Sequence, residues 1–322
     1  MNRKTSMAAT LLLAAFALPD AWATCGAAFC TINTNWDAHG AWAEPGLRVD
    51  LRYEYLNQNQ PRSGSDKVSV GQVPREHDEV YTKNRNWLAS ADYTFNADWG
   101  VTAALPVVDR NHYHLHNEDN GDQTPESWNF TKAGDLRILG RYRLGAFQGQ
   151  EPSLGTAGVN FGLKLPTGKF DVRNSDGELA ERTLQPGAGT TDALLGAYYA
   201  QLLPAKDLSW FVQALAGLPL NSKDGYKPGN RYTLDAGLQY NPTERIGLLL
   251  QLNALYRGRD SGTNAEPEDS GGRAVFLSPG ITLNLTEKLR AYAFMQLPLY
   301  QYVNGVQLTA DRGVLVGLSA RF

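Results

Sequence analysis

The last eleven residues, RGVLVGLSARF, constrain this chain more than any other stretch. Counting back in twos from Phe322 places Ala320, Leu318, Val316 and Val314 on one face, with Arg321, Ser319 and Gly313 on the other. That is a strand with one apolar and one polar side. An antiparallel strand over a soluble core alternates in the same way, but an aromatic on the very last residue is the mark of a strand that seals an outer-membrane β-barrel. The remaining chain must then supply the other strands.

Composition agrees with that demand. A mean hydropathy of -0.38 with 20% charged residues suits a water-soluble protein, yet a transmembrane barrel spends only alternate residues on lipid and keeps a similar average. Thirty-two Gly, 15 Tyr and 7 Trp against 3 Met favour strands, tight turns and interfacial aromatics over helices. No stretch approaches the roughly 20 apolar residues of a membrane helix. A net charge of -3 offers nothing to nucleic acid.

The chain opens with Arg3 and Lys4, continues through MAATLLLAAFAL and reaches Ala21-Trp22-Ala23, the small-x-small pattern of signal-peptidase cleavage, so residues 1–23 read as a signal peptide. The apolar run is too short for a membrane anchor. Trp22-Ala23-Thr24 departs from the small-residue pattern that lipidation of Cys25 requires. Cys25 and Cys30, in CGAAFC, are the only cysteines. In an exported protein they suit a small disulfide loop, and a thiol pair for a soft metal or for redox exchange has the same spacing. Residues 24–45, with Trp36, His39 and Trp42, lack clean alternation and read as a periplasmic tail placed across or inside a barrel mouth.

From Gly46 the two-residue period begins, and it recurs in twelve segments, at about 46–55, 87–95, 99–108, 135–144, 159–165, 193–199, 210–218, 232–240, 246–254, 275–284, 289–300 and 306–322. Long polar connections alternate with short turns, as in barrels whose turns face the periplasm and whose loops face outward, and an even strand count leaves both termini periplasmic. Leu105-Pro106, Leu165-Pro166, Leu218-Pro219 and Leu297-Pro298 each close a segment before an outer loop, where a residue without an N–H is tolerated. The expected fold is all-β: an up-and-down antiparallel transmembrane β-barrel of about twelve strands over residues 46–322. A β-sandwich needs stronger polarity on its exposed faces.

GDLRILGRYRL from Gly134, GLKLPTGKF from Gly162 and PGAGTTDALLGAYY from Pro186 resemble, in that order, blocks of the outer-membrane family catalogued as transporters of the meta-pathway of phenol degradation. The likeness spans roughly Gly46 to Phe322 and leaves out the cysteine tail. It implies export or uptake of aromatic compounds and carries no ligand residues with it.

Charges on the polar face must point into the lumen, because Arg or Lys facing lipid at the midplane costs roughly 2–4 kcal/mol. The lumen-facing set is Arg48, Asp50, Arg52, Glu54, Asp92, Asp135, Arg137, Arg141, Arg143, Lys164, Asp235, Arg257, Arg290 and Arg321. It reads either as a paired network or as a basic track for anionic solutes. Around Arg137, Arg141 and Arg143 only Asp135 shares the face, so positive charge is expected in excess there. His112, His114 and His116 in HYHLH alternate, so an extended backbone puts all three imidazoles on one side. That spacing suits Zn(II) or Cu(II), and a solvated loop explains it equally.

All five histidines, His39, His77, His112, His114 and His116, read as tail or outer-loop residues, leaving none mid-wall for a Ser-His pair, so no enzyme is expected. A rim protease and an autotransporter translocator are the weaker readings, the latter lacking room for a passenger. The sequence therefore reads as a channel or transporter for small, aromatic or hydrophobic solutes in the bacterial outer membrane. Its expected partners are membrane lipid and the barrel assembly machinery, met through the strand ending in Phe322, and no cofactor is expected. The alternatives are a metal-handling or structural barrel and a narrow anion-preferring porin for organic acids.

Overall fold

The computed structural model describes residues 32–34, 45–145 and 155–322. Residues 1–23, read as a signal peptide, and Cys25, Cys30, Trp36, His39 and Trp42 lie outside the described residues. Thirteen extended elements follow in order: β1 (Gly46–Gly64), β2 (Asp66–Lys67), β3 (His77–Thr94), β4 (Trp99–Asn117), β5 (Gln123–Ala133), β6 (Leu136–Arg143), β7 (Thr156–Leu165), β8 (Asp192–Leu203), β9 (Leu208–Pro219), β10 (Arg231–Tyr240), β11 (Ile246–Arg257), β12 (Gly272–Asn284) and β13 (Leu289–Arg321). They pair antiparallel around a cylinder that β1 and β13 close, while β2 and β5 stand off the ring.

β13 crosses the wall twice. Its first part, up to Val303, pairs with β12, and its last part, from Val306, pairs with β1. Between them Gly305 has φ +46, a left-handed value that suits glycine at a reversal. Across the reversal Gln301 Nε2 donates to the Ala310 carbonyl at 3.0 Å, and the Arg321 amide donates to the Lys288 carbonyl at 2.8 Å. Ten single crossings and this hairpin give the twelve strands that the alternation implies.

The outer face is apolar where lipid would lie: Leu51, Leu195, Leu234 and Leu318 are each about half exposed. Tyr93, Phe95, Trp99, Tyr240 and Phe322 ring the end with the short turns, and Tyr55, Trp87, Tyr232 and Tyr300 ring the other, as two interfacial girdles. Beyond Trp87 the outward face carries Arg85 paired with Asp109 at 2.8 Å, which marks the upper edge of the lipid band.

The wall is uneven. β1 and β4 are 19 residues long and β3 is 18, whereas a tilted crossing needs about 9–11. The first two stretches read as long loops are therefore mostly strand. β1 continues to Gly64 and β3 begins at His77, while β4 runs to Asn117 and returns as β5, so His77, His112, His114 and His116 belong to a raised parapet. β4 changes partner at Pro106, from β6 below to β5 above. Pro298 likewise sits within β13, beside a register shift against β12. Only Pro166 and Pro219 stand at strand ends. All four obey one rule, that a residue without an N–H sits where pairing is interrupted.

Candidate functional site

Most of the fourteen lumen-facing candidates are paired. Arg52 meets Glu54 at 2.9 Å, and Tyr292 donates its hydroxyl to Asp50 at 2.8 Å. Asn253 Nδ2 donates to Asp235 at 2.8 Å, Arg257 to both oxygens of Asp260 at 2.8 Å, and Arg290 to Asn284 at 2.9 Å. Arg48 is buried and Arg321 half-buried. The positive excess expected beside Arg141 and Arg143 is absent, because β3 and the turn after it bring in carboxylates. Arg141 lies 3.6 Å from Asp92, and Arg143 lies 4.0 Å from Asp98. Alternation within one strand cannot disclose what its neighbours contribute.

Arg137 differs. Its side chain is exposed to lumenal solvent although the wall surrounds it, and among its charged neighbours Arg52 acts on it most strongly. Arg231, which the sequence reading missed, feels Arg137 and Arg257 more than Asp235 or Glu54. Neither forms an ion pair among the described residues.

The described part of the tail lies within the barrel. The Asn33 amide donates to Gln251 Oε1 at 3.1 Å, Gln251 Nε2 donates back to the Asn33 carbonyl at 2.9 Å, and Asn33 Nδ2 donates to Gln213 at 3.1 Å. Arg52 donates to Thr34 Oγ1 at 2.7 Å. Ile32 is buried among inward-facing Phe211, Leu249, Phe294 and Leu315. Side-chain amides here stand in for a neighbouring strand, satisfying main-chain groups that would otherwise be lost in the interior.

The connection of residues 166–191 folds inward over the mouth opposite the short turns. Val172, Ala180 and Leu184 pack on Val108, Trp128 and Phe130 of the β4–β5 parapet. Trp128 Nε1 donates to the Glu178 carbonyl at 3.0 Å, and Arg110 donates to the Leu184 carbonyl. At its base Asp135 accepts from the Gly168 amide, the Ala188 amide and Lys164 Nζ, each at 3.0 Å, and Lys164 also reaches Asp192 at 3.2 Å. Gly134, Gly168 and Gly187 meet backbone to backbone at this point: a Cβ on Gly168 would come within 2.8 Å of the Gly134 Cα and 2.9 Å of the Gly187 Cα. A cleft of about 680 Å³ remains above, lined in part by His77, His114, His116, Glu126, Glu181 and Glu266.

Within that parapet the three alternate histidines do not form one set. His112 and His114 are buried and converge with Glu79 of β3, whereas His116 groups with Glu76 and His77. A register shift between Glu79 and Tyr81 lets Glu79 and Thr82, an odd number of residues apart, face the same side. Strict alternation cannot find such a pair. Glu126 and Glu181 arrive from β5 and from the inward loop, and no sequence spacing ties them to the histidines.

A family model described as "Putative MetA-pathway of phenol degradation" matches residues 59–299. The chain belongs to this family. In fold it is similar to an outer membrane channel from Pseudomonas putida F1, at 14% identity and a TM-score of 0.64, over 88% of this chain and 98% of that one. Fainter likenesses are to the NanC porin, at 12% identity and a TM-score of 0.44 over 85% and 100%, and to the Ralstonia pickettii toluene transporter TbuX, at 9% and 0.44 over 90% and 92%. No curated protein matches the chain in sequence. The architecture is that of bacterial outer-membrane barrels, and the three family motifs around Gly134, Gly168 and Gly187 are the ones that meet at Asp135.

Proposed function

We propose that this protein is an outer-membrane channel for small solutes, with small aromatic compounds as its class, and that it acts as a passage rather than an enzyme. The carrying observation is a closed cylinder, apolar outside, whose lumen presents solvent-exposed Arg137 between an inward-folded outer loop and the segment at residues 32–34. The family's description, which names phenol degradation, supports the aromatic class. In this reading the termini and short turns are periplasmic, and the strand ending at Phe322 is the one presented to the barrel assembly machinery.

A second reading, a narrow anion-preferring porin for organic acids, draws on Arg137 and Arg231, whose mutual field favours aromatic carboxylates and phenolates over neutral rings. Flux through purified protein in liposomes tests both. Uptake of phenol and benzoate faster than of sugars of similar size is the expected result. Benzoate alone would select the second reading, and no flux of any solute would reject a channel. Cysteines placed at Ser65, Gly121 or Gly262 should label on intact cells, and one at Ala205 should not.

A further inference from the structure

We propose that Glu79, His112 and His114 form a binding site for a divalent first-row transition-metal ion of the zinc class, outside the lipid band on the outer parapet. The geometry is close to what such an ion requires. His112 Nε2 and His114 Nδ1 are 3.2 Å apart, and Glu79 lies 3.7 Å from the first through Oε2 and 3.8 Å from the second through Oε1. Tetrahedral zinc, with bonds of about 2.0–2.1 Å, holds its ligand atoms roughly 3.3 Å from one another. Contraction by a few tenths of an ångström completes the set.

The far sides of both rings are already engaged, which orients them. His114 Nε2 lies 3.0 Å from Glu126 Oε2, so its N–H donates there and the lone pair of Nδ1 points inward. His112 Nδ1 lies 2.8 Å from Thr82 Oγ1, a hydroxyl that can donate or accept. The ring can therefore move its proton from Nε2, which shares it with His114 Nδ1 in the metal-free state, to Nδ1 and turn the Nε2 lone pair inward when a cation binds. Carboxylate behind histidine is the supporting arrangement that orients metal ligands. Both imidazoles are 1% exposed and stand on paired strands, so little ordering is left to be done on binding.

Electrostatics point the same way. Glu181 Oε1 lies 3.7 Å from His114 Nδ1 and borders the site from the inward loop. Glu79, Glu126 and Glu181 therefore surround the two imidazoles with carboxylates, and Glu181 stands beside a fourth coordination position. Two imidazoles exclude calcium and magnesium, which take oxygen ligands. Glu76, His77 and His116 form a more open group in the same mouth, without comparable burial.

The test uses purified full-length protein in detergent, stripped with a chelator and titrated with Zn(II), with Co(II) as the visible probe. Wild type should bind one tight equivalent and show the absorption of four-coordinate Co(II), unaffected by excess Mg(II). His112→Ala and His114→Ala should lose that equivalent, His116→Ala should keep it, and Glu126→Gln should weaken it about 10–100-fold. Heat-modifiable migration reports folding in every variant. If either alanine variant fails to fold, Glu79→Gln carries the test. The proposal is overturned if folded wild type binds neither ion, if a folded ligand variant binds like wild type, or if His116→Ala abolishes binding.

Discussion

Lys164 Nζ lies 3.0 Å from Asp135 Oδ2, and this pair fastens the loop of residues 166–191 to the barrel wall. The same carboxylate holds the Gly168 and Ala188 amides, so the ion pair and both ends of the loop depend on one side chain. Both charged side chains are at most 10% exposed. Lys164→Met therefore leaves Asp135 and Asp192 without their counter-charge, a loss of about 3–5 kcal/mol for a buried pair broken from one side. Faster proteolysis within residues 166–191 and a lower thermal transition of the folded barrel are the expected outcomes. A loop as resistant as wild type would mean that the glycine contacts alone fix it.

The double hydrogen bond between Gln251 and Asn33 ties the tail into the lumen. Gln251→Ala removes both bonds, worth about 1–3 kcal/mol together, and should raise the population with residues 32–34 displaced by roughly fivefold to a hundredfold. Single-channel recording in planar bilayers should show larger or longer openings than wild type. Ile32→Asp should act in the same direction, since it buries a charge among Phe211, Leu249 and Leu315. Unchanged conductance in both variants would mean that this segment does not limit the pore.

Selectivity is expected to reside in Arg137 and Arg231, with Arg141 and Arg143 already neutralised by Asp92 and Asp98. Reversal potentials at low salt should show a mild anion preference that Arg137→Ala with Arg231→Ala reduces and Arg143→Ala leaves nearly intact. Raising the salt should weaken it, because the Debye length falls from about 10 Å at 0.1 M to about 3 Å at 1 M. An equal effect of Arg143→Ala would argue for a diffuse field.

Phe322 pairs with the start of β1 at the seam of the barrel. The Phe322 amide donates to the Leu47 carbonyl at 2.8 Å, the Leu47 amide returns the bond at 3.3 Å, and the ring is 71% exposed on the lipid side. Phe322→Asp keeps the main-chain bonds but puts a charge in the girdle. The yield of heat-modifiable folded protein in membranes should fall several-fold, while Phe322→Tyr should match wild type. Wild-type yield of the Asp variant would show that assembly ignores the terminal aromatic.

Alternation by itself determined the barrel, its twelve crossings and the inward face, because side chains point to opposite sides in turn and lipid tolerates only one kind of residue. The terminal strand from Val314 to Phe322 was readable for that reason. What tertiary structure decided lies wherever pairing departs from that period or joins distant strands. The register shift beside Glu79 sets two residues of odd spacing on one side, Asp92 and Asp98 reach arginines on another strand, and Asp135 gathers three glycine motifs spread over more than fifty residues. Local sequence fixes which way a side chain points along its own strand. Only closure of the sheet, and the inward fold of residues 166–191, fix what it meets.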